Sequence, residues 1–252
     1  VELVFLGSGG GRWTTLLQRL QTGGFRLHSR NNIHIDPGPG ALVAMKKMNI
    51  SPIKTDAVVV THCHPDHYND AEILIEAMTK GMTLKKGILA GSESTLIGID
   101  NLGPAISAYH QQKVGKKIVM KPRESFDIGG CRVECLPTKH SDPTTVGLKF
   151  LTKDNGTIVY TSDTQYFEGI SNYYKNANVI IFNVIRPRNE RIAWHLCIDD
   201  VIKICKEAKP ELAIIQHFGL KMIDIADNEA RRAQKETGIN TIAAKDEMKL
   251  KI

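Results

Sequence analysis

Residues 61–70 read "THCHPDHYND" and follow directly on the apolar run "AVVV", so one strand delivers three of the chain's nine histidines and two aspartates to one place. His62 and His64 are two apart, and in an extended loop their side chains point the same way and can grip one cation. Asp66 and His67 come where the chain turns toward a helix, and can face a second site. A solvated, histidine-rich turn would show the same letters. Two neighbouring metals need many ligands, so further donors at strand ends downstream separate the two readings. They are there: His140 follows "CRVECLP", Asp163 follows "TIVYTS" and His217 follows "LAIIQ". Each is a ligand type placed just past an apolar run, where a loop meets the rim of a sheet. A lone histidine in such a place is more often structural. Three such residues added to the cluster point to metal.

The remaining composition sets limits. At 252 residues the chain is long enough for one large domain or two small ones. Hydrophobic content of 42% and charged content of 24% are those of an ordinary globular protein. No run approaches ~18 consecutive apolar residues, so no membrane span is expected. The opening "VELVFLGSGGGRW" lacks a basic region and does not read as a signal peptide. The five cysteines form no C-x-x-C pair and read as reduced thiols of a cytoplasmic protein. A net charge of +6 admits an anionic substrate but is too mild to imply nucleic acid by itself.

The patterning alternates between strand and helix. "VELVFL", "NIHID" and "DAVVV" read as strands, with helices expected at Ala41–Met48 and across "AEILIEAM". "GILA" suggests a strand and "GSESTLIGI" a helix, capped by Ser92 or Ser94. "ESFDIGGCRVECL" reads as a hairpin about Gly129–Gly130, and "VGLKFLTKDNGTIVYTSD" as one about Asn155–Gly156. "NVIIFN", "ELAIIQHF" and "EMKLKI" are further strands, and "CIDDVIKICKEA" places Ile198, Val201, Ile202 and Cys205 on one helical face. There is no internal repeat, low-complexity segment or linker. The expectation is a single α/β domain over residues 1–252, built on two sheets.

With these residues in hand, the chain resembles the metallo-β-lactamase superfamily. The H-x-H-x-D-H signature stands as His62, His64, Asp66 and His67, and the later histidine, aspartate and histidine of that family match His140, Asp163 and His217 in order. The resemblance implies a four-layer αββα sandwich of two mixed sheets, with helices on the outer faces and the site along one sheet edge. It implies that one metal takes His62, His64 and His140, the other Asp66, His67 and His217, with Asp163 bridging. Asp36 matches an aspartate that braces the ligand loop, although a turn-forming Asp before Pro37 reads equally well. Imidazole and carboxylate donors without cysteine suit two divalent ions, Zn²⁺ foremost and Mn²⁺ or Fe²⁺ besides. Cys63, between two ligands, is expected to face the other way.

Within the superfamily, "VFLGSGGG" and "AWHLCIDDVIKICKEAKPELAIIQHFG" resemble the tRNA 3′-processing endonuclease (ribonuclease Z) and phosphodiesterase branch. There a histidine precedes a helix, here His195, although Leu196–Cys197 replace the hydroxyl residues that follow it. At a helix start, His195 would share the favourable field for an anion, donate to a phosphate oxygen or protonate a leaving alkoxide. A histidine packed beside Trp194 is the other reading. Asp66 and His195 are the residues expected to act in catalysis. The tRNA-clamping arm of that branch has no evident counterpart. Only "QQKVGKKIVMKPR" is basic, with Lys113, Lys116, Lys117, Lys121 and Arg123 reading as a charged hairpin face. The expected substrate is therefore a small phosphodiester, ahead of an RNA 3′ end. A carbonyl hydrolase (thioesterase, lactonase or lactamase-like) is the alternative on the same donors, and self-association as a homodimer stays open.

Overall fold

The computed structural model describes residues 1–152 and 156–252. The chain first lays down β1 (Glu2–Phe5), β2 (Phe25–His28), β3 (Asn32–Ile35), β4 (Ala57–Val60), β5 (Lys86–Ser92) and β6 (Val114–Met120). It then builds a second sheet from β7 (Ser125–Ile128), β8 (Cys131–Pro137), β9 (Val146–Thr152), β10 (Gly156–Tyr160), β11 (Val179–Arg186), β12 (Leu196–Cys197), β13 (Leu212–Gln216) and β14 (Asn240–Ala243). A last strand, β15 (Lys249–Lys251), returns to the first sheet, whose order is β15-β1-β2-β3-β4-β5-β6. The second runs β14-β13-β11-β10-β9-β8-β7, with β12 pairing beside β11. Both sheets are mixed: β1–β3 and β7–β10 are antiparallel, while β3–β6 and β10, β11, β13 and β14 pair in parallel.

The period-2 alternation of the strands sorts the layers. Ala57 and Val59 of β4 face inward with Phe5, Phe25 and Ile35, against Val133, Leu148, Phe150, Ile158 and Ile181 of the second sheet. Val58 and Val60 face outward, under the helices Ala41–Lys47 and Ala71–Met78, through Ala44, Met45, Leu74 and Ile75. Ile180 and Phe182 likewise face outward, among Ile198, Val201, Ile202, Cys205 and Ala230. The helices are α1 (Arg12–Leu17), α2 (Ala41–Lys47), α3 (Pro65–Tyr68), α4 (Ala71–Met78), α5 (Glu93–Leu96), α6 (Ala108–Gln111), α7 (Ile170–Tyr174), α8 (Ile198–Ala208) and α9 (Ala226–Thr237). This is the αββα sandwich.

Two local expectations change. The basic stretch is no hairpin face: Val114–Met120 is an edge strand paired in parallel to β5, and lysines on an open edge discourage pairing with another chain. The helix expected across "GSESTLIGI" shrinks to the single turn α5, capped by Ser92, whose Oγ accepts the Thr95 N–H. Asn155, half of one expected turn, lies outside the described residues, while β9 and β10 do pair as the antiparallel hairpin. The Gly129–Gly130 turn joins β7 to β8. Among the described residues no helix is long and apolar enough to cross a membrane, and all five cysteines are free thiols.

Candidate metal centre

The loop after β4 is held from below before its histidines are reached. Asp36, at the end of β3, accepts the Thr61 N–H at 2.7 Å, the Thr61 hydroxyl at 2.8 Å, the His67 Nδ1–H at 2.9 Å and the Tyr160 hydroxyl at 2.8 Å. Asp36 is therefore a brace and not merely a turn former. Proline at the start of α3 opens that short helix, and its single turn brings Asp66 and His67 toward His217 while the His67 ring centroid stays 4.0 Å from that of His62. His140 arrives on the loop after β8, Asp163 after β10 and His217 after β13. All seven residues meet at the common edge of the two sheets.

Donor atoms converge in groups. His62, His64 and His140 form one, Asp66, His67 and His217 another, and Asp163 joins His62 with His67, and His140 with His195. Asp163 Oδ2 stands 3.5 Å from His67 Nε2, and Oδ1 stands 3.4 Å from His217 Nε2. Asn183 Nδ2 donates to that Oδ1 at 2.7 Å and orients the carboxylate.

The tautomers follow from the outer hydrogen bonds. The only Thr61 hydroxyl proton goes to Asp36, so His62 Nδ1–H must donate to Thr61 Oγ1 at 3.2 Å. His67 Nδ1–H donates to Asp36, and His140 Nδ1–H to the Trp194 carbonyl at 3.0 Å. Their Nε2 atoms then face inward: His62 Nε2 and His140 Nε2 lie 3.1 and 3.2 Å from His64 Nδ1, and His67 Nε2 lies 3.1 Å from His217 Nε2. A single His64 Nδ1–H cannot serve both His62 and His140, so one inward lone pair faces another nitrogen without a proton between them unless a cation sits there. Outward donation to carboxylate or carbonyl is the arrangement metal-ligating histidines adopt. The donor set fits divalent cations, as the fold implies.

Electrostatics agree for the His62–His64–His140 group. Burial, joined by the charges of His67 and His140, holds His62 well below its ordinary pKa. Burial also lowers His64 and pushes His140 down to about 4, so these imidazoles are neutral donors. For His67 burial alone would lower the pKa, but Asp163, Asp66 and Asp36 carry it well above the ordinary value. Burial would raise both carboxyls, yet His67 and His217 hold Asp66 and Asp163 well below the usual carboxylate range.

His195 lies at the centre, not packed away beside Trp194: its Nε2 is 3.3 Å from Asp163 Oδ2 and its ring centroid 5.2 Å from that of His140. The helix-field argument for it fails. Helix α8 starts three residues later, and its first turn is already capped, with Cys197 N–H donating to Asp200 Oδ2 at 3.1 Å and Asp199 beside it. Cys63 points away, with Asp142 and Ser94 beside it, and burial pushes its thiol up to about 11.

The contacts of the glycine turn and the backbone of several site residues are visible only in the fold. Gly11 N–H donates to Asp66 Oδ2 at 2.7 Å, and a Cβ on Gly10 would stand 2.1 Å from the His217 ring. The glycines of "GSGGG" are thus required by contact. Asp36, Ser162, Trp194 and His217 have φ of 50°, 52°, 70° and 62°, a conformation that non-glycine residues adopt at some cost and that gathers at functional sites.

Two packed sheets with outer helices, and an edge of converging imidazoles and carboxylates, define a metallohydrolase of the αββα class. The chain matches the family described as "Beta-lactamase superfamily domain" over residues 31–218 and belongs to that superfamily, as a metallo-hydrolase. It is 41% identical over 255 residues to an uncharacterized protein of Methanocaldococcus jannaschii, covering 100% of this chain and 95% of that one. A probable metallo-hydrolase of Bacillus subtilis, YhfI, is 30% identical over 189 residues, 72% of this chain and 75% of its own. Ribonuclease Z of Thermoplasma volcanium is 20% identical over 302 residues, covering 100% and 98%. Among solved structures, YhfI has a TM-score of 0.81 at 20% identity, covering 99% of this chain and 98% of that one. A diphosphatase of the PhnP family has 0.71 at 16%, covering 100% and 97%. The short form of human tRNase Z has 0.71 at 15%, covering 100% and 99%. What these structures share with the chain is the fold.

Proposed function

We propose that the chain is a phosphodiesterase whose centre takes two divalent cations, Zn²⁺ first, with Mn²⁺ or Fe²⁺ as alternatives. His62, His64 and His140 would hold one and Asp66, His67 and His217 the other, with Asp163 shared. Bound there, such ions lower the pKa of a shared water toward neutrality and stabilise charge on the attacked group.

The observation that carries the phosphodiester reading is His195. Its Nδ1 faces the Ala193 carbonyl at 3.2 Å, which leaves Nε2 toward the centre, beside Asp163. Burial would lower its pKa, but the hydrogen bond and charge of Asp163 raise it, which favours a proton on Nε2. An alkoxide leaving from phosphorus needs that proton, whereas a thiolate leaving from a thioester does not. Asp66 is the second catalytic residue: Gly11 N–H fixes its Oδ2, which stands 3.3 Å from His217 Nε2, before any substrate arrives. Relatives named ribonuclease Z and a structural neighbour named a diphosphatase support phosphorus over a carbonyl.

A small diester is favoured over an RNA 3′ end. Between His67 and His140 the described chain forms α4, β5, α5, α6, β6, β7 and β8, all parts of the sandwich, with no projecting arm. The basic residues of the loop before His195 are neutralised internally: Arg188 pairs with Asp199 and Glu236, Arg191 with Asp200, and Lys221 with Glu190 of that loop. Parallel assays on bis(p-nitrophenyl) phosphate, a thioester, a lactam and a precursor tRNA, each with and without chelator, test this. Chelator-sensitive turnover of the diester is expected. Turnover of the thioester or lactam alone would move the assignment to carbonyl hydrolysis, and cleavage of the tRNA alone would move it to 3′-end processing.

A further inference from the structure

We infer that Asp142 is a positioning residue for one half of the centre, the His62–His64–His140 group, and not for the other. The inference rests on the metal-centre reading and deepens it. Asp142 is fully buried and sits two residues after His140. Its Oδ2 accepts the backbone N–H of Cys63, the residue between His62 and His64, at 3.1 Å, and the Ser94 hydroxyl at 2.5 Å. Its Oδ1 accepts the Thr144 N–H at 2.9 Å and the Thr144 hydroxyl at 2.8 Å. The Ser94 N–H in turn donates to Thr144 Oγ1 at 3.1 Å.

One carboxylate thus joins the loop carrying His140 to the peptide linking His62 and His64, and anchors both on α5. All three donors of that group lie within two residues of a contact it makes. Neither Asp66, His67 nor His217 appears among the partners of its carboxylate. Asp36 supplies the contrast, because it touches His67 directly and holds Thr61 on the other side of His62.

An amide in place of Asp142 keeps the shape, but whichever way it turns its NH2 meets a backbone N–H, of Cys63 or of Thr144, that cannot accept. The linker between His62 and His64 then loses its hold, and His140 its register. Loss of an outer partner that orients metal ligands typically costs about 10- to 100-fold in metal affinity.

The test uses two single-site backgrounds, each titrated with Zn²⁺ against a competing chelator. In His217→Ala, where the retained ion uses the His62–His64–His140 group, adding Asp142→Asn should weaken Zn²⁺ by about 10- to 100-fold. In His140→Ala, where the retained ion uses the Asp66–His67 group, the same substitution should change affinity by less than about twofold. Co²⁺ electronic spectra of both pairs give a second readout, with ligand-field bands shifting only in the first. Should Asp142→Asn fail to fold, Ser94→Ala, which removes one hydrogen bond to the same oxygen, should show the same contrast at smaller size. Equal losses in both backgrounds, or none in either, overturn the assignment while leaving a two-ion centre intact. A parent protein that takes up no Zn²⁺ overturns the metal-centre reading itself, and the assignment with it.

Discussion

The Nε2 of His195 stands 3.3 Å from Oδ2 of Asp163. This sets an imidazole against the same carboxylate that His62, His67 and His217 face at 4.0, 3.5 and 3.4 Å. The proposed leaving-group acid thus touches the proposed shared ligand directly. If His195 acts as that acid, His195→Ala should keep metal content and thermal stability while kcat falls by roughly 10²–10⁴. The loss should shrink for p-nitrophenolate, which departs without a proton, and be largest for alkoxides. Equal losses on both would leave His195 a phosphate-positioning role only.

Asp163 carries a different expectation. Its two oxygens face both donor groups, and Asn183 fixes its orientation. Asp163→Ala should loosen both ions and remove most activity, read as metal per chain after gel filtration in metal-free buffer. Loss of one ion at unchanged activity would make it an outer partner of a single site.

The reach of the sequence can be judged element by element. β4 was legible because it is buried on both faces, so its four residues read as an unbroken apolar run. The seven-residue donor set was legible because each member follows such a run. β2 was not, because its Arg26 is fully buried while still charged, which breaks the apolar pattern. Helix α9, "ADNEARRAQKET", hid for a related reason: its buried face is mostly alanine, at Ala226, Ala230 and Ala233, and too small to register as a stripe. Asp142 and Gly10 escaped because their roles exist only across the sandwich, toward Cys63 and His217.

Gly10 yields the third prediction. Its missing side chain is space that the His217 ring occupies, at 2.1 Å from where a Cβ would lie. Gly10→Ala must displace either the loop or the ring. Overpacking of this kind costs about 1–3 kcal/mol, so the variant should still fold. Its Zn²⁺ affinity at the Asp66–His67–His217 group should drop, however. Unchanged affinity by chelator competition would show that the loop yields instead of His217.

The last prediction concerns a pair outside the converging groups of the site. His34 is buried beneath α2, its Nε2–H donating to the Gly23 carbonyl at 2.9 Å while Nδ1 accepts from Arg26 at 3.4 Å. Burial, reinforced by the Arg26 charge, pushes its pKa from 6.5 down to about 3. The folded protein therefore keeps His34 neutral where the unfolded chain would protonate it. Between those two values the unfolded state binds the extra proton, so stability rises with pH. The contribution is complete above pH 6.5 and is lost as pH falls toward 3, at no more than about 1.4 kcal/mol per pH unit. Urea denaturation of the metal-free protein at pH 7 and pH 5 should show this loss. His34→Gln, which keeps a donor for Gly23 but cannot titrate, should lose less over the same interval, so the stability gap between the two proteins narrows as the pH drops. Parallel pH dependences would mean that His34 is protonated in the folded state after all.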